Sequence, residues 1–167
     1  MSLTQVWLGL GSNTEQVLHI NNALQALSPI LENMQCSPVF ESESVGIKSN
    51  NFYNLVITGE TSLPILELSA RLKEIEVDNG RYDKASKSLP LDVDLLLYGD
   101  TVGQFDHVTL PYPGILANAY VLLPLSLLSP FNKHPVLGVT YHELWQGLRT
   151  EINQKLWLID SPWLFSA

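Results

Sequence analysis

The order of strand-like and helix-like segments most restricts the fold of this sequence. Four short apolar runs have the length and β-branched or aromatic content of strands, at residues 5–10, 34–40, 52–58 and 91–98. Two longer segments repeat apolar residues at helical spacing, namely Val17, Ile20, Leu24 and Leu27, then Ile65, Leu68, Leu72 and Ile75. The resulting β-α-β-β-α-β order predicts an α+β fold with a ferredoxin-like core, in which helices pack on a mainly antiparallel sheet.

Local signals set the expected boundaries of these elements. Ser12 and Glu15 have capping-box spacing, which predicts the start of the first helix there. Residues 9–13 (GLGSN) lack the third glycine or the lysine of phosphate-binding loops, so we interpret them as a tight strand-to-helix turn. Further helices are expected at 118–128 and 141–148, and an edge strand at 155–159. No linker composition interrupts the chain, which predicts a single domain over residues 1–167.

Composition narrows the classes of function. The 167 residues are 46% hydrophobic, enough for a substantial core, and the formal net charge is −8. This charge argues against nonspecific binding to nucleic acid or to an anionic membrane, since both require a basic surface. The single cysteine excludes an internal disulfide and a cysteine-based zinc cluster, and favours a reducing cytoplasm. We expect a monomer that acts on small molecules.

Two aspartates mark one strand as a candidate site. Asp92 and Asp94 are two residues apart, so their side chains point to the same face of an extended strand. Neighbouring carboxylates repel each other, and a hard cation such as Mg²⁺, shared with substrate phosphates, would offset that repulsion. The alternative is a strand end whose acids only face solvent.

A short basic loop precedes this pair. Arg81, Lys84 and Lys87 are three of only nine lysines and arginines in the chain. They are suited to clamp phosphates opposite a metal, although a solvated loop explains them equally well. Glu76 either pairs with Lys73 on the helix surface, the default expectation, or faces the site.

Asn54 interrupts an otherwise apolar strand. A buried side-chain amide needs hydrogen-bond partners. It either bonds to neighbouring backbone, or reads the edge of a flat heterocycle that stacks on an aromatic ring.

Together these motifs resemble the 6-hydroxymethyl-7,8-dihydropterin pyrophosphokinases of folate synthesis, over most of the chain. The segments that carry the resemblance are Leu8–Asn13, Phe52–Val56, Ile75–Glu76, Gly80–Arg81, Leu91–Gly99, Leu110–Pro111 and Leu123–Leu125. The resemblance implies transfer of a diphosphate group from ATP to the pterin hydroxymethyl oxygen, with release of AMP.

The resemblance also implies roles for individual residues. Asp92 and Asp94 would hold two Mg²⁺ ions that bridge the ATP phosphates, and Arg81 would assist catalysis. The side chains expected to contact the nucleotide are Glu76, Lys84, Lys87 and Thr109. Those expected to bind the pterin are Ser42, Val45, Phe52 (or its neighbour Tyr53), Asn54 and Tyr120.

The chain departs from the family pattern on the cationic side. The tryptophan and arginine expected before the aspartates are missing from a loop about two residues shorter by our alignment, and Asp83 stands where a second arginine is expected. Tyr112, Pro113 and Asn118 replace a histidine, a tyrosine and a later arginine. Lys84 and Lys87 are candidate substitutes. These losses leave two alternatives to a pterin pyrophosphokinase: a diverged paralogue that binds without turnover, or another metal-dependent phosphate reaction.

Overall fold

A mixed sheet-and-helix architecture is present in the computed structural model, which describes residues 2–43, 50–83 and 88–165. Within those ranges it has eight strands: β1 (Thr4–Ser12), β2 (Glu32–Cys36), β3 (Phe40–Ser42), β4 (Phe52–Thr61), β5 (Asp92–Tyr98), β6 (Gly103–Phe105), β7 (Val108–Leu110) and β8 (Leu156–Leu158). The main sheet has the order β5-β1-β4-β3-β8, with β2 also paired to β4, and every pairing is antiparallel. The predicted α+β fold is confirmed.

Helices cover both faces of this sheet. They are α1 (Gln16–Leu27), α2 (Ile65–Asp78), α3 (Ala119–Leu128) and α4 (Tyr141–Leu148). One core cluster joins α1 and α2 to alternate sheet residues such as Leu8, Leu55 and Val93. A second cluster joins α3 and α4 to the opposite face, through Trp7 and Val56. Since side chains alternate along a strand, neighbouring residues such as Val56 and Leu55 pack into opposite layers.

Several predicted boundaries were wrong. The capping box does not form, because the N-cap of α1 is Glu15 and the Ser12 hydroxyl instead donates to the Thr14 carbonyl. The predicted strand at 34–40 is broken at Ser37, whose hydroxyl accepts the Val56 N–H at 2.9 Å.

The glycine-rich opening also differs from the prediction. Gly9 and Gly11 lie inside β1, paired with β5 and β4, and the turn begins only after Ser12. The β6–β7 hairpin was not anticipated, because its strands are three residues each and carry no clear alternation. The last predicted elements are confirmed as α4 and β8. In the part of the chain that the structure describes, no helix has the length and apolar character needed to cross a bilayer.

Candidate active site

The two aspartates lie on β5, the strand at one edge of the main sheet. Val93 and Leu95 point into the α1–α2 core, so Asp92 and Asp94 point to the opposite face. Burial raises the pKa of Asp94 to about 8, and both a hydrogen bond with Asp92 and the negative charge of Asp92 contribute to this rise. Asp94 therefore tends to hold a proton in the absence of a cation.

Glu76 approaches the same strand from the last turn of α2. Its side chain is 8% exposed, and its Oε2 accepts the Val93 N–H at 2.9 Å, which satisfies a donor on the edge strand. The Tyr82 hydroxyl donates to Oε1 at 3.1 Å. Burial raises the pKa of Glu76, opposed by the bond from Val93 and by the charge of Arg81. The default expectation of a surface pair with Lys73 was wrong, since Glu76 faces the site.

Arg81 links the helix to the strand. It follows Gly80, whose φ of +87° ends α2 in the left-handed conformation that glycine tolerates. Its Nη1 donates to Asp92 Oδ1 at 2.5 Å and also to Glu76 Oε2. Burial alone would lower the pKa of Arg81, but Asp92 and Glu76 outweigh it and raise that pKa. One guanidinium thus balances two of the three carboxylates here.

These groups line one cavity of about 320 Å³, called here the carboxylate cavity. Asp92, Asp94, Glu76, Arg81 and Thr109 all border it, so the structure brings together five of the predicted site residues. The Thr109 side chain is exposed, and its hydroxyl donates to Gln104.

A second cavity, of about 240 Å³, adjoins the first and is called here the aromatic cavity. Ser42, Phe52, Asn54 and Tyr120 line it together with Asp92. Four of the five predicted pterin-binding residues therefore border one space. The fifth, Val45, and the two lysines Lys84 and Lys87 lie outside the described residues.

The two neighbouring aromatic residues Phe52 and Tyr53 lie on opposite faces of β4. Phe52 borders the aromatic cavity, whereas Tyr53 points to the other face, where its ring stacks on Trp163 at 6.1 Å between centroids. Asn54 is buried, and its Nδ2 donates to the Ser42 hydroxyl at 2.8 Å. Within the described ranges the partner is thus a side chain, rather than the backbone that was one alternative.

Sequence reasoning missed an anchor for the loop before β5. Asn13 is buried, its Oδ1 accepts the Leu89 N–H at 2.6 Å, and its own N–H donates to the Leu89 carbonyl at 3.0 Å. Leu89 in turn lines the aromatic cavity. The only signal was a polar residue at the end of a buried strand, which does not identify a partner 76 residues away.

Tyr112 was also not predicted as a site residue. It borders the carboxylate cavity, and its ring packs so closely on Gly114 that a Cβ there would come within 2.3 Å of it. Burial, then the charges of Asp94 and Asp92, raise the pKa of Tyr112 to about 12. The phenol therefore keeps its proton and remains a hydrogen-bond donor beside the aspartates.

The chemistry of the donor set fits a hard divalent cation. Among the described residues no group of three or more His, Cys, Asp or Glu side chains is arranged to hold a metal. Two carboxylates side by side on one strand are nevertheless the donors that Mg²⁺ uses when phosphate oxygens complete its coordination. Asp92 and Asp94 are the residues that would hold it.

We expect Asp94→Asn to stabilise the protein in a pH-dependent way when divalent cations are absent. A folded-state pKa of about 8 against an ordinary value near 4 means that wild-type stability falls as pH rises between these values, then levels off. The asparagine avoids this loss, so its advantage should grow from near zero at pH 4 to about 2 kcal/mol at pH 8, discounted for partial solvent access.

Urea unfolding in EDTA at pH 5, 6.5 and 8 measures this advantage. The exposed Asp160→Asn serves as the control and should track the wild type. An advantage of the same size at pH 5 and pH 8 would show that charge at Asp94 does not strain the fold.

Comparison with known proteins assigns the family. Residues 7–130 match the family model for 7,8-dihydro-6-hydroxymethylpterin-pyrophosphokinase (HPPK). The chain is 32% identical over 137 residues to the 2-amino-4-hydroxy-6-hydroxymethyldihydropteridine pyrophosphokinase of Aquifex aeolicus, covering 80% of this chain and 86% of that enzyme. The chain belongs to the HPPK family. The pyrophosphokinase of Pseudomonas aeruginosa gives similar values, with 32% identity covering 80% of this chain and 85% of the relative.

Some HPPK relatives are much longer. A folic acid synthesis protein of Pneumocystis carinii is 30% identical over 81% of this chain, which spans only 19% of that protein. Among solved structures, wild-type Plasmodium falciparum HPPK-DHPS with pteroate superimposes with a TM-score of 0.73 at 15% identity, over 90% of this chain and 43% of that one. This likeness supports the HPPK fold.

Proposed function

We propose that this chain transfers a diphosphate group from ATP to the hydroxymethyl oxygen of 6-hydroxymethyl-7,8-dihydropterin, and releases AMP, in folate biosynthesis. The observation that carries the proposal is that Asp92 borders both cavities. A nucleotide in the carboxylate cavity and a pterin in the aromatic cavity would therefore meet at the aspartates. The pterin hydroxyl would attack the β-phosphorus while the bond from that phosphorus to the α-phosphate oxygen breaks.

The aromatic cavity is suited to a flat heterocycle. Phe52 and Tyr120 supply ring surfaces, and Asn54, held by Ser42, supplies a fixed amide. Such a site combines stacking with hydrogen bonds to the ring edge, which a pterin requires. Val45 is also proposed to contact the pterin.

The carboxylate cavity is suited to a metal-bound triphosphate. Mg²⁺, proposed as two ions, would be held by Asp92 and Asp94 and would neutralise negative charge on the phosphates. Arg81 is proposed to assist the transfer, because its guanidinium borders the same cavity and lies against Asp92. Glu76 would hold Arg81 and, together with Thr109, Lys84 and Lys87, would contact the nucleotide.

Several wider expectations remain predictions. The acidic net charge of −8 supports small-molecule substrates rather than nucleic acid or membrane partners. We also propose a single domain, a monomeric state and a cytoplasmic location.

Two measurements on the same preparation test the proposed function. Product analysis with ATP, Mg²⁺ and the hydroxymethyl pterin should give AMP and the pterin diphosphate in equal amounts. Calorimetric titration with an ATP analogue and the pterin reports binding independently. Binding of both ligands without AMP formation would contradict the proposal in favour of a non-catalytic paralogue, and release of ADP or inorganic phosphate instead would indicate another reaction.

Gly11→Ala is expected to weaken pterin binding about tenfold and to leave nucleotide binding unchanged. A Cβ at this position would lie 3.0 Å from Asn54 Oδ1, so the buried amide would have to shift inside the aromatic cavity. Gly9→Ala is a matched control on the same strand and face, because its Cβ would make only an ordinary 3.4 Å contact with Leu96. Calorimetry with pterin and with ATP analogue measures both effects, and equal pterin affinity in the two variants would remove Asn54 from recognition.

A further inference from the structure

The first helical N–H of α3 is bonded by a distant residue. Asn118 is the N-cap of α3, yet its side chain makes no capping bond. Instead Gln154 Oε1 accepts the Ala119 N–H at 2.7 Å, and Gln154 Nε2 donates to Asn118 Oδ1 at 3.1 Å. A single amide thus satisfies a helix-terminal donor and fixes the N-cap side chain.

This anchor lies next to a wall of the aromatic cavity. Tyr120 is the second residue of α3, directly after the N–H that Gln154 holds. Its side chain borders the aromatic cavity and also an adjoining space of about 200 Å³, which Gln154 and Lys155 line from the other side. The position of Tyr120 therefore depends on where α3 begins.

The same segment also supports a second wall. Two residues after Gln154, Leu156 starts β8 and pairs with Ser42 of β3. Ser42 lines the aromatic cavity and accepts the hydrogen bond from Asn54. The short segment 154–156, which lies beyond the matched residues 7–130, thus contacts the residues that hold both Tyr120 and Asn54 in place.

We propose that Gln154 is a positioning residue for the pterin, acting through the start of α3 and the β3–β8 pair. The inference rests on the proposed function, because it assigns the aromatic cavity to the pterin. Gln154 is not among the described residues that line the carboxylate cavity. Its loss should misplace the stacking surface without changing the phosphate chemistry.

The expected signature is a split between the two substrates. Gln154→Leu removes both hydrogen bonds at similar side-chain volume, and should raise the KM for pterin about tenfold. The KM for ATP and kcat at saturating pterin should stay within about twofold of the wild type, since a misplaced platform weakens binding rather than the chemical step.

A conservative variant separates positioning from general damage. Gln154→Glu keeps an oxygen acceptor for the Ala119 N–H, and a carboxylate is favourable at a helix N-terminus. The Asn118 amide can rotate to donate to it, so pterin KM should return close to the wild-type value. Gln146→Leu, an exposed glutamine-to-leucine change on α4, is the matched control and should have no effect.

Three readouts decide the proposal: steady-state kinetics for each substrate, calorimetric pterin affinity, and hydrogen exchange of the Ala119 amide. Faster Ala119 exchange and weaker pterin binding in Gln154→Leu, with Gln154→Glu restored, support it. Unchanged pterin affinity in Gln154→Leu, or an equal loss of affinity for both substrates, overturns the positioning role. The proposed function still stands in that case if the wild type forms AMP. If the wild type forms no AMP, the proposed function fails, and pterin affinity with Ala119 exchange still decides the role of Gln154.

Discussion

Asp94→Asn should lower kcat/KM for AMP formation by about 10³-fold or more. The substitution preserves the shape of the side chain and removes a charge that the proposed cation site on this face of β5 requires. Stabilising charge on transferring phosphates accounts for most of the catalysis in such reactions, so the loss should appear mainly in turnover.

Misfolding would not explain such a loss. Because the Asp94 carboxyl is strained by burial and by Asp92, the asparagine variant should be more stable than the wild type at pH 8 without metal. A variant that is both more stable and inactive is the pattern expected of a residue kept for function.

The metal dependence supplies an independent readout. Mn²⁺ binding followed by electron paramagnetic resonance, with ATP analogue present, should weaken at least tenfold in Asp94→Asn. Asp100→Asn, an exposed acid just beyond the same strand, is the control. Activity within tenfold of the wild type, with metal affinity unchanged, would exclude Asp94 as a metal ligand.

Elements with strong periodicity were predictable from the sequence. The apolar spacing in α2 and the continuous run in β5 located both elements within about a residue at most boundaries, and with them Glu76, Arg81 and the aspartates. These side chains could be expected to lie close together, because one loop joins the end of α2 to the start of β5. The hydrogen-bond partner of Glu76 was predicted wrongly. A pair on a helix surface can be inferred from sequence spacing, whereas burial of Glu76 against an edge strand depends on the tertiary fold.

Contacts between distant segments were not predictable. The bonds of Asn13 to Leu89 and of Gln154 to Ala119 join residues 76 and 35 positions apart, and no periodic pattern encodes them. Both involve single polar side chains that satisfy backbone groups where regular elements end. Leu89 nevertheless borders the aromatic cavity and Gln154 lines the adjoining space, so the chemistry of the site was more predictable from the sequence than its shape.

Arg81→Met is expected to lower kcat/KM about 10²-fold and, in the opposite direction, to raise the affinity of the nucleotide-free protein for divalent cations. The guanidinium bonds to Asp92 Oδ1 at 2.5 Å in the structure, so it competes with a metal ion for that oxygen. Its removal frees a carboxylate oxygen and leaves one more net negative charge in the cavity. The loss of turnover follows because the cation proposed to assist the transfer is gone.

The two opposite effects make this variant informative. Glu76 and Asp92 lose their counter-charge, so the variant should be less stable in EDTA by about 2 kcal/mol, and Mg²⁺ should restore part of that loss. Arg71→Met is the matched control, since it makes the same substitution at an exposed position of α2. Arg81→Lys should recover little activity, because an ammonium does not reproduce a guanidinium that bridges two carboxylates.

Mn²⁺ titration without nucleotide, urea unfolding with and without Mg²⁺, and AMP formation measure the three consequences. Tighter metal binding with slower turnover would mean that Arg81 occupies the aspartate in the resting protein and gives it up to the metal–nucleotide complex. Weaker metal binding in Arg81→Met would instead mean that the guanidinium organises Asp92 for the ion, and the competition argument would be abandoned. Which of the two outcomes holds also matters for the arginines that this chain lacks relative to the family pattern. With fewer cations at the proposed phosphate site, catalysis depends more heavily on the position of Arg81.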